Sequence, residues 1–334
     1  MCGSVTLREP KLEDVAILTQ SLSDTSFAST VGADVRDLGA GASAAWLAGE
    51  RLFLQHGPIN LIVRAEGEPC ARAIAYRELC AAFPTWLAGL AAQLPRLRAQ
   101  EVNSLALPDG DIARGMVTAV RAMQAGFVTP MAAVAGAVAD QAIAQLSRHA
   151  GVTQAWVNNG GDIALYLTES TYVDIGVVPS LQHAGAAASL RIKHSAPIRG
   201  IATSGWQGRS HSLGIADAVT VLGRSAAIAD AAATLIANAV NAEHPQVVKA
   251  PANQLDEDTD LGTRAVTVAV GVLDQDTIKC ALRRGHRLAQ ELCARGVING
   301  AALLLQGHWL SADAADATSS MIAWVRPNNV GEPQ

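Results

Sequence analysis

The stretch TPMAAVAGAVADQAIAQLSRHAGVTQAWVNNGGDIALYL, residues 129–167, decides the fold that we predict for this chain. Thr129 followed by Pro130 is typical of a helix start, because threonine caps helices and proline fits their first turn. The Ala-rich run behind it contains Gly136, a residue type that costs a helix about 1 kcal/mol relative to alanine. Close approach of a neighbour or a ligand would explain it. Two apolar runs then flank the NNGG sequence of residues 158–161, a turn typical of a β-hairpin.

Helices and hairpins alternate irregularly on either side of this stretch. We predict helices at residues 71–80, 85–100, 114–125, 131–150, 225–243 and 275–293. We predict strands at residues 60–65, 153–157, 163–168, 172–178, 189–193, 200–202, 218–222, 266–272 and 301–305. This pattern favours a single α+β domain, with mainly antiparallel sheets packed against Ala-rich helices, over a regular βαβ arrangement. Residues 1–50 are predicted to be an irregular N-terminal extension, residues 51–325 the α+β domain and residues 326–334 a polar tail.

The composition narrows the class of protein. Half of the 334 residues are hydrophobic and 16% are charged, which is ample for a large core. The net charge of -5, without a basic run, argues against nucleic-acid binding and leaves a small-molecule substrate as the expected partner.

No apolar run reaches the roughly 20 residues of a membrane helix, and the first residues are too polar for a secretion signal. The five cysteines include no CxxC pair, so a cytoplasmic location is expected, and the small-residue helices are compatible with a homodimer.

Residues 203–217, TSGWQGRSHSLGIAD, hold the densest group of reactive side chains. Three glycines free the backbone to approach a ligand. Arg209 suits a carboxylate or phosphate, and His211 is a natural proton carrier near neutral pH. The neighbouring hydroxyls and carboxylate are those of Thr203, Ser204, Ser210, Ser212 and Asp217. The alternative is a turn-rich loop whose hydroxyls cap backbone groups, but Arg209, His211 and Asp217 together favour a functional site.

Asp230, Thr234, Asn238 and Asn241 fall on one stripe of a helix otherwise built mainly of Ala, Ile, Leu and Val. A solvent-exposed stripe usually carries Lys, Glu and Arg, whereas this one carries short oxygen and amide groups. Such groups suit Mg2+ or polar contacts with a ligand. The turn at residues 158–162 is weaker evidence, because NGG alone can be only a hairpin corner.

Several common catalytic and nucleotide-binding patterns are missing from the sequence. It has no GxGxxG dinucleotide fingerprint and no GxxxxGK[ST] phosphate loop, and its histidines form no spaced metal pair. It has no GxSxG elbow either, which argues against a standard α/β-hydrolase.

The runs TPMAAVAGAVAD, NNGGDIAL, GIATSGWQGRSHSLGIADAVTVL and ADAAATLIANAV resemble the ApbE-like superfamily over about residues 51–309. They look most similar to an uncharacterised bacterial and archaeal branch of it. The best-known members of the superfamily transfer FMN from FAD to a Ser or Thr of a target protein, with Mg2+. The resemblance therefore implies an ApbE-like fold, an enzyme, Mg2+ as the metal and FAD or FMN as the nucleotide.

The residues and the resemblance together give the candidate site. Asp230 and Thr234 match the AD-x3-T segment that holds the metal in flavin transferases, and His211 matches the histidine after their TSG segment. The positions expected to bind substrate or cofactor are Asn159, Gly160, Gly161, Asp162, Thr203, Ser204, Gly205 and Asn238. The positions expected to be catalytic are Arg209, Ser210, His211, Ser212 and Asp217.

Three features of flavin transferases are missing: the D-P-x-x-G signature after the histidine, the lysine in the helix before Asp140, and the early methionine–glycine segment. We therefore expect an enzyme that acts on a small anionic or heterocyclic substrate, for instance by hydrolysing a cyclic amide. Arg209 would anchor the substrate, His211 would be the general acid and base, and Asp217 would orient it. The alternatives are a Mg2+-dependent, FAD-utilising FMN transferase and a non-catalytic flavin- or nucleotide-binding protein.

Overall fold

The computed structural model describes residues 16–18, 35–100, 106–177 and 188–313. The strands of these residues are β1 (Ala16–Leu18), β2 (Arg36–Gly39), β3 (Ala42–Leu47), β4 (Arg51–His56), β5 (Ile59–Gly67), β6 (Val152–Asn159), β7 (Asp162–Leu167), β8 (Tyr172–Val177), β9 (Ala188–Lys193), β10 (Gly200–Ser204), β11 (Ala218–Gly223), β12 (Val247–Pro251), β13 (Ala265–Val270), β14 (Ile298–Leu305) and β15 (His308–Asp313). The helices are α1 (Pro69–Ala82), α2 (Trp86–Ala91), α3 (Leu94–Leu97), α4 (Asp111–Met123), α5 (Val134–Leu146), α6 (Ala226–Ala239), α7 (Ala252–Leu255) and α8 (Gln275–Ala294). A short 3-10 turn, Pro130–Ala133, leads into α5.

Ten of the strands form one sheet in the order β15-β14-β11-β10-β7-β6-β5-β4-β3-β2. Every neighbouring pair in this sheet is antiparallel. A second sheet contains β1, β8 and β9, with β1 parallel to β8, and β12 pairs with β13 in a third. The predicted α+β class with mainly antiparallel sheets is confirmed.

The core lies mainly between one face of the large sheet and the helices. In β5 alternate residues are buried, so Leu61, Val63 and Ala65 point into the main core together with the apolar faces of the helices. A smaller cluster covers the other face, where β7 contributes Ile163 to a group that includes Ile175 of β8. Since β7 is buried on both faces, the side chains at its ends are held in a fixed place.

Gly136 lies where the start of α5 meets the start of α6. A Cβ at this position would lie 2.3 Å from the carbonyl oxygen of Ala226, which is closer than real atoms approach. The glycine that the sequence singled out is therefore explained by a neighbouring helix, and only glycine allows the two helices to touch at this point.

The main domain begins earlier in the chain than the boundary predicted at residue 51. The pairing of β2 with β3 and of β3 with β4 adds residues 36–47 to the edge of the large sheet. These strands are short and rich in Ala and Gly, so their alternation was hard to recognise. Residues 1–15 and the polar tail, 326–334, lie outside the described residues.

The helix predicted at residues 85–100 is divided into α2 and α3, because Pro95 cannot donate the hydrogen bond that a continuous helix needs. The other predicted helices and strands are present, with ends shifted by a few residues. Among the helices of the described residues, none has both the length and the apolar character needed to cross a membrane.

Candidate functional site

The turn between β6 and β7 is fixed by its own asparagine and glycine residues. Gly160 and Gly161 have φ angles of 65° and 117°, which glycine adopts with little strain. The side-chain oxygen of Asn158 accepts the Gly161 N–H at 2.8 Å. Asn159 Nδ2 donates to the carbonyl oxygen of Ala135 at 3.0 Å, and this bond joins the turn to the start of α5.

Asp162 begins β7 directly opposite Asn159, and its side chain is buried. Burial, followed by the nearby charge of Asp230, raises the pKa of the Asp162 carboxyl well above its usual value. The Thr203 N–H and the Arg209 charge lower this pKa, but by less. The carboxyl group of Asp230 therefore lies close enough to Asp162 for its charge to disfavour ionisation of Asp162.

Asp230 projects from α6 towards the first turn of α5. Its Oδ2 accepts the Gly136 N–H at 3.0 Å. Burial raises the pKa of Asp230 to about 7, although the N–H groups of Gly136 and Ala135 lower it. Thr234 lies one turn further along α6, half-buried, and no hydrogen bond joins its hydroxyl to another described residue.

Asn238, further along α6, and Asn241, two residues beyond the end of that helix, hold the site loop. Asn238 Oδ1 accepts the Ser212 hydroxyl at 3.2 Å and the Leu213 N–H at 2.9 Å. Asn241 Nδ2 donates to the Leu213 carbonyl at 3.0 Å, and Lys249 Nζ from β12 donates to the same oxygen at 2.7 Å. The C-terminal end of α6 and the residues that follow it thus anchor the loop.

Ser212 was expected to be catalytic, but its hydroxyl already has two partners. The residue is 3% exposed. Its hydroxyl donates to Asn238 and accepts the Gly214 N–H at 3.2 Å. The buried hydroxyl therefore shapes the loop and is poorly placed to attack a substrate.

Asp217 was expected to orient His211, yet its carboxylate bonds elsewhere. Its Oδ2 accepts the backbone N–H of Gln306 at 2.5 Å, and its Oδ1 accepts the Trp206 indole N–H at 3.3 Å. Burial raises the pKa of Asp217, and these two donors lower it. Both carboxylate oxygens of Asp217 therefore accept hydrogen bonds that close the base of the loop. In the described part of the chain, no contact is observed through which Asp217 orients His211.

Arg209, Ser210 and His211 form the exposed tip of the loop. Arg209 Nη2 donates to the carbonyl oxygen of Pro58 at 3.2 Å. Its Nη1 lies 3.1 Å from the point that a Cβ would occupy at Gly160, so the guanidinium lies against the glycine turn. The side chains of Ser210 and His211 make no hydrogen bond to any residue that the structure describes.

Thr203, Ser204 and Gly205 lead from β10 into the loop. The Thr203 hydroxyl lies 2.8 Å from the hydroxyl of Thr220 on β11, and Ser204 is half-buried. A Cβ at Gly205 would lie 2.2 Å from the Asp217 carbonyl oxygen, so the loop can close only over a glycine.

Eleven of the fifteen predicted site residues fall into two groups, and Ser204, Ser210, His211 and Thr234 belong to neither. The residues that meet around the β6–β7 turn and the start of α5 are Asn159, Gly160, Gly161, Asp162, Thr203, Arg209 and Asp230. The residues that bond within the loop or to its base are Gly205, Ser212, Asp217 and Asn238.

A family model described as AbpE bacteria matches residues 44–311. The chain belongs to this family. An archaeal relative of this AbpE family protein, a UPF0280 protein of Methanothrix thermoacetophila, is 43% identical over 118 residues, which are 34% of this chain and 46% of the relative. A UPF0280 protein of Methanopyrus kandleri is 37% identical over 173 residues, which are 50% of this chain and 68% of the relative. The chain spans about half the length of the curated relatives it matches.

Two solved structures are also similar to this AbpE family protein. The apo form of the Pseudomonas stutzeri flavinyl transferase ApbE has 13% sequence identity and a TM-score of 0.37, over 84% of this chain and 95% of that chain. The flavin transferase ApbE from Vibrio cholerae has 12% identity and a TM-score of 0.37, over 80% and 98%. The predicted membership of an ApbE-like family with archaeal relatives is confirmed by the family match and the relatives.

The Asp162–Asp230 pair of this AbpE family protein fits a divalent cation. Its carboxylates and the Thr234 hydroxyl are oxygen donors, which Mg2+ prefers. A cation would also offset the effect of the Asp230 charge on the buried Asp162 carboxyl. The described residues contain no group of three or more His, Cys, Asp and Glu side chains that could hold a metal. A set this small suits Mg2+, which commonly binds one or two carboxylates together with substrate phosphates.

Sequence reasoning missed three residues that build the site. Lys249 and Thr267 come from β12 and β13, and Thr267 Oγ1 donates to the Gly214 carbonyl at 2.7 Å. Nothing in their local sequence indicates this pairing, which only the folded chain creates. Asp140 was noticed only as the end of a motif. A single charged residue on a helix that is otherwise uncharged was the signal that could have found it.

Proposed function

We propose that this chain is a Mg2+-dependent enzyme that uses FAD and transfers its FMN part to a hydroxyl acceptor. The proposal depends on one observation above all: Asp162 and Asp230 converge beside the glycine turn, with the Arg209 charge within reach of Asp162. The ApbE-like motifs and membership of the AbpE bacteria family support the same chemistry.

Arg209 supplies the positive charge for a phosphate group. Its side chain is exposed, and its contact with the Pro58 carbonyl holds it over the turn while other guanidinium N–H groups remain available. Arginine suits phosphate because two of its N–H groups can bind two phosphate oxygens. Gly160 contributes by having no side chain, since a Cβ would lie 3.1 Å from Arg209 Nη1.

Asp230 and Thr234 are the residues that would hold Mg2+, with Asp162 close enough to Asp230 to feel its charge. When bound, the cation would neutralise charge on the pyrophosphate oxygens. The Gly136 N–H fixes Asp230, and Asn159 fixes the turn to the adjacent Ala135. These contacts position the donors before a ligand arrives, which favours catalysis because little reorganisation is then needed.

In the proposed reaction one P–O bond forms and one breaks. The acceptor hydroxyl attacks the phosphorus that carries the riboflavin part, the pyrophosphate bond breaks, and AMP leaves. The hydroxyl proton passes to a base, and His211, exposed two residues after Arg209, is our candidate for that role. The reaction needs no oxidant or reductant.

The contacts give less support to hydrolysis of a cyclic amide. A serine nucleophile needs a base within hydrogen-bond reach. The Ser212 hydroxyl is buried and bonded to Asn238, and Ser210 has no hydrogen-bonded base among the described residues. Transfer of FMN therefore agrees better with the observed geometry.

The proposal is tested by incubating the purified chain with FAD, with Mg2+ or with EDTA, and measuring AMP and FMN by chromatography. Water serves as the default acceptor, and a Ser- and Thr-containing peptide as the second. We expect Mg2+-dependent AMP release that is lost in Asp230→Asn and Thr234→Val but kept in Arg283→Ala, an exposed residue of α8. FAD binding without AMP release in any condition would instead favour a non-catalytic flavin-binding protein.

A further inference from the structure

We propose that Asp140 is a positioning residue for the candidate site, because it fixes the start of the helix from which Asp230 projects. The inference rests on the proposed function in one respect, namely that Asp230 takes part in binding Mg2+. The other part of the inference, the link between α5 and α6, depends only on the observed contacts.

Helices α5 and α6 cap each other through a pair of aspartates. Asp140, in the middle of α5, accepts the N–H groups of Ala226 and Ala227 at 2.9 Å each, one with each carboxylate oxygen. Asp230, in α6, accepts the Gly136 N–H of α5 at 3.0 Å. The first N–H groups of a helix have no partner within the helix, so each carboxylate satisfies donors that the other helix leaves free.

The two sets of bonds meet at a point of direct backbone contact. The missing Cβ of Gly136 would lie 2.3 Å from the Ala226 carbonyl oxygen, so the helix starts touch there. A shift of α6 by one residue, about 1.5 Å along its axis, would disrupt the bonds of both Asp140 and Asp230. Asp140 thereby fixes the position of Asp230, although the two residues lie on different helices.

Helix α6 also has a cap of its own, whose side chain is hydrogen-bonded to the Asp140 carboxyl as well. Ser225 precedes the helix, and its side-chain oxygen accepts the Ile228 N–H at 3.3 Å. Asp140 serves the two earlier N–H groups, and it is the residue that brings α5 to them. The main effect of the Asp140 bonds is therefore to fix the positions of α5 and α6, which both border the site, relative to each other.

The test compares Asp140→Ala and Asp140→Asn with a matched control. Asp274 is also an aspartate that accepts two backbone N–H groups, those of Asp276 and Thr277, but at the start of α8 and within its own helix. Asp274→Ala removes these two backbone bonds, together with the bond from the Thr277 hydroxyl and the contact with His244, without touching the contact between α5 and α6. All variants are made in the full chain.

Two measurements are made on each variant. The first is hydrogen exchange at the Gly136 amide, which is bonded to Asp230 and not to Asp140. We expect exchange at least tenfold faster in Asp140→Ala and unchanged in Asp274→Ala. The second is binding of Mn2+, followed by its electron paramagnetic resonance signal. We expect affinity about tenfold weaker in Asp140→Ala, intermediate in Asp140→Asn, and equal to that of the original chain in Asp274→Ala.

Unchanged Gly136 exchange in Asp140→Ala overturns the inference, and so does faster exchange with unaltered Mn2+ affinity. If Asp140→Ala does not fold, Asp140→Asn and Asp274→Asn are compared by the same two criteria. If the original chain binds no Mn2+, the metal part of the proposed function fails. Gly136 exchange then decides on its own: faster exchange supports the link between the helices, and unchanged exchange overturns it.

Discussion

The amide oxygen of Asn238 lies 3.2 Å from the Ser212 hydroxyl and accepts its hydrogen bond. The same oxygen accepts the Leu213 N–H at 2.9 Å, so one side chain of α6 holds two consecutive residues of the site loop. Since Ser212 is buried, this contact replaces any bond of the hydroxyl to water. The exposed tip with Arg209 therefore depends on α6 for its position.

Replacing Asn238 with alanine should destabilise the fold. The Ser212 hydroxyl and the Leu213 N–H would lose their acceptor, and each buried unsatisfied group costs about 1–3 kcal/mol. We expect the free energy of unfolding in urea to fall by about 2 kcal/mol or more. Asn238→Asp is the matched control, because it keeps oxygen acceptors at the same place and should lose less. Equal stability of Asn238→Ala and the original chain would contradict the anchoring role.

Gly136→Ala should also be destabilising, by about 2 kcal/mol or more, since overpacking at a rigid contact forces the backbone to move. The new Cβ would meet the backbone of Ala226 at 2.3 Å. Gly115→Ala in α4 is the control, because its Cβ would meet Ala137 at an ordinary 3.8 Å. In that helix the change should stabilise by up to about 1 kcal/mol. Thermal unfolding of both variants gives the comparison, and the same sign for both would be inconsistent with the contact.

The local parts of the fold were accessible from sequence because they depend on neighbouring residues. The NNGG turn predicted the β6–β7 hairpin, and Ser225 predicted the start of α6 through its capping hydroxyl. Helical spacing predicted one stripe of Asp230, Thr234, Asn238 and Asn241, but α6 ends at Ala239, so Asn241 lies beyond the helix. The spacing could not show that the two ends of the stripe contact different parts of the structure, because that depends on which elements pack against each end of α6.

Long-range contacts explain what the sequence could not predict. The bonds from Lys249 and Thr267 to the loop need β12 and β13 to pair first, and of these two strands only β13 was predicted from the sequence. The aspartates Asp140 and Asp230 are ninety positions apart, and only the crossing of α5 and α6 brings each to the other helix. Asp217 looked like a partner for His211 because both lie in one loop, but burial placed its carboxylate beside Gln306.

Tyr76 should make stability depend on pH in the alkaline range. Its hydroxyl oxygen accepts the Ala65 N–H at 2.7 Å, and burial raises its pKa to about 12. The unfolded value is about 10, so the folded state favours the protonated phenol. This stabilisation is complete below about pH 10 and is lost as the pH rises through 12.

Tyr76→Phe isolates that contribution. At pH 7 the variant should be about 1–2 kcal/mol less stable, because the Ala65 N–H loses its acceptor. Above pH 10 its free energy of unfolding should fall less steeply than that of the original chain. Tyr172→Phe is the control, since Tyr172 is 48% exposed and its ring, which contacts Arg191, is kept. Parallel alkaline curves for Tyr76→Phe and the original chain would rule out this role.

Arg209→Ala should weaken FAD binding without weakening the fold. The side chain is exposed, and its hydrogen bond to the Pro58 carbonyl lies at the surface, so the stability change should stay within about 0.5 kcal/mol. We expect FAD affinity to fall at least tenfold by calorimetry in the presence of Mg2+. Arg209→Lys should bind with intermediate affinity, because lysine keeps the charge but cannot form the two-pronged contact with phosphate.

The matched control for net charge is Arg283→Ala, which removes one exposed arginine from α8 and should leave FAD binding unchanged. Equal loss of affinity in both variants would mean that only the overall charge of the chain attracts the nucleotide. Unchanged affinity in Arg209→Ala would mean that phosphate does not bind over the Gly160 turn, and the position proposed for the substrate would have to be abandoned. A loss of FAD affinity in Arg209→Ala but not in Arg283→Ala, with affinity rising from alanine to lysine to arginine at position 209, requires a guanidinium in contact with the ligand. Arg209, at the tip of the site loop, supplies such a guanidinium, since it lies against Gly160 and its charge acts on Asp162.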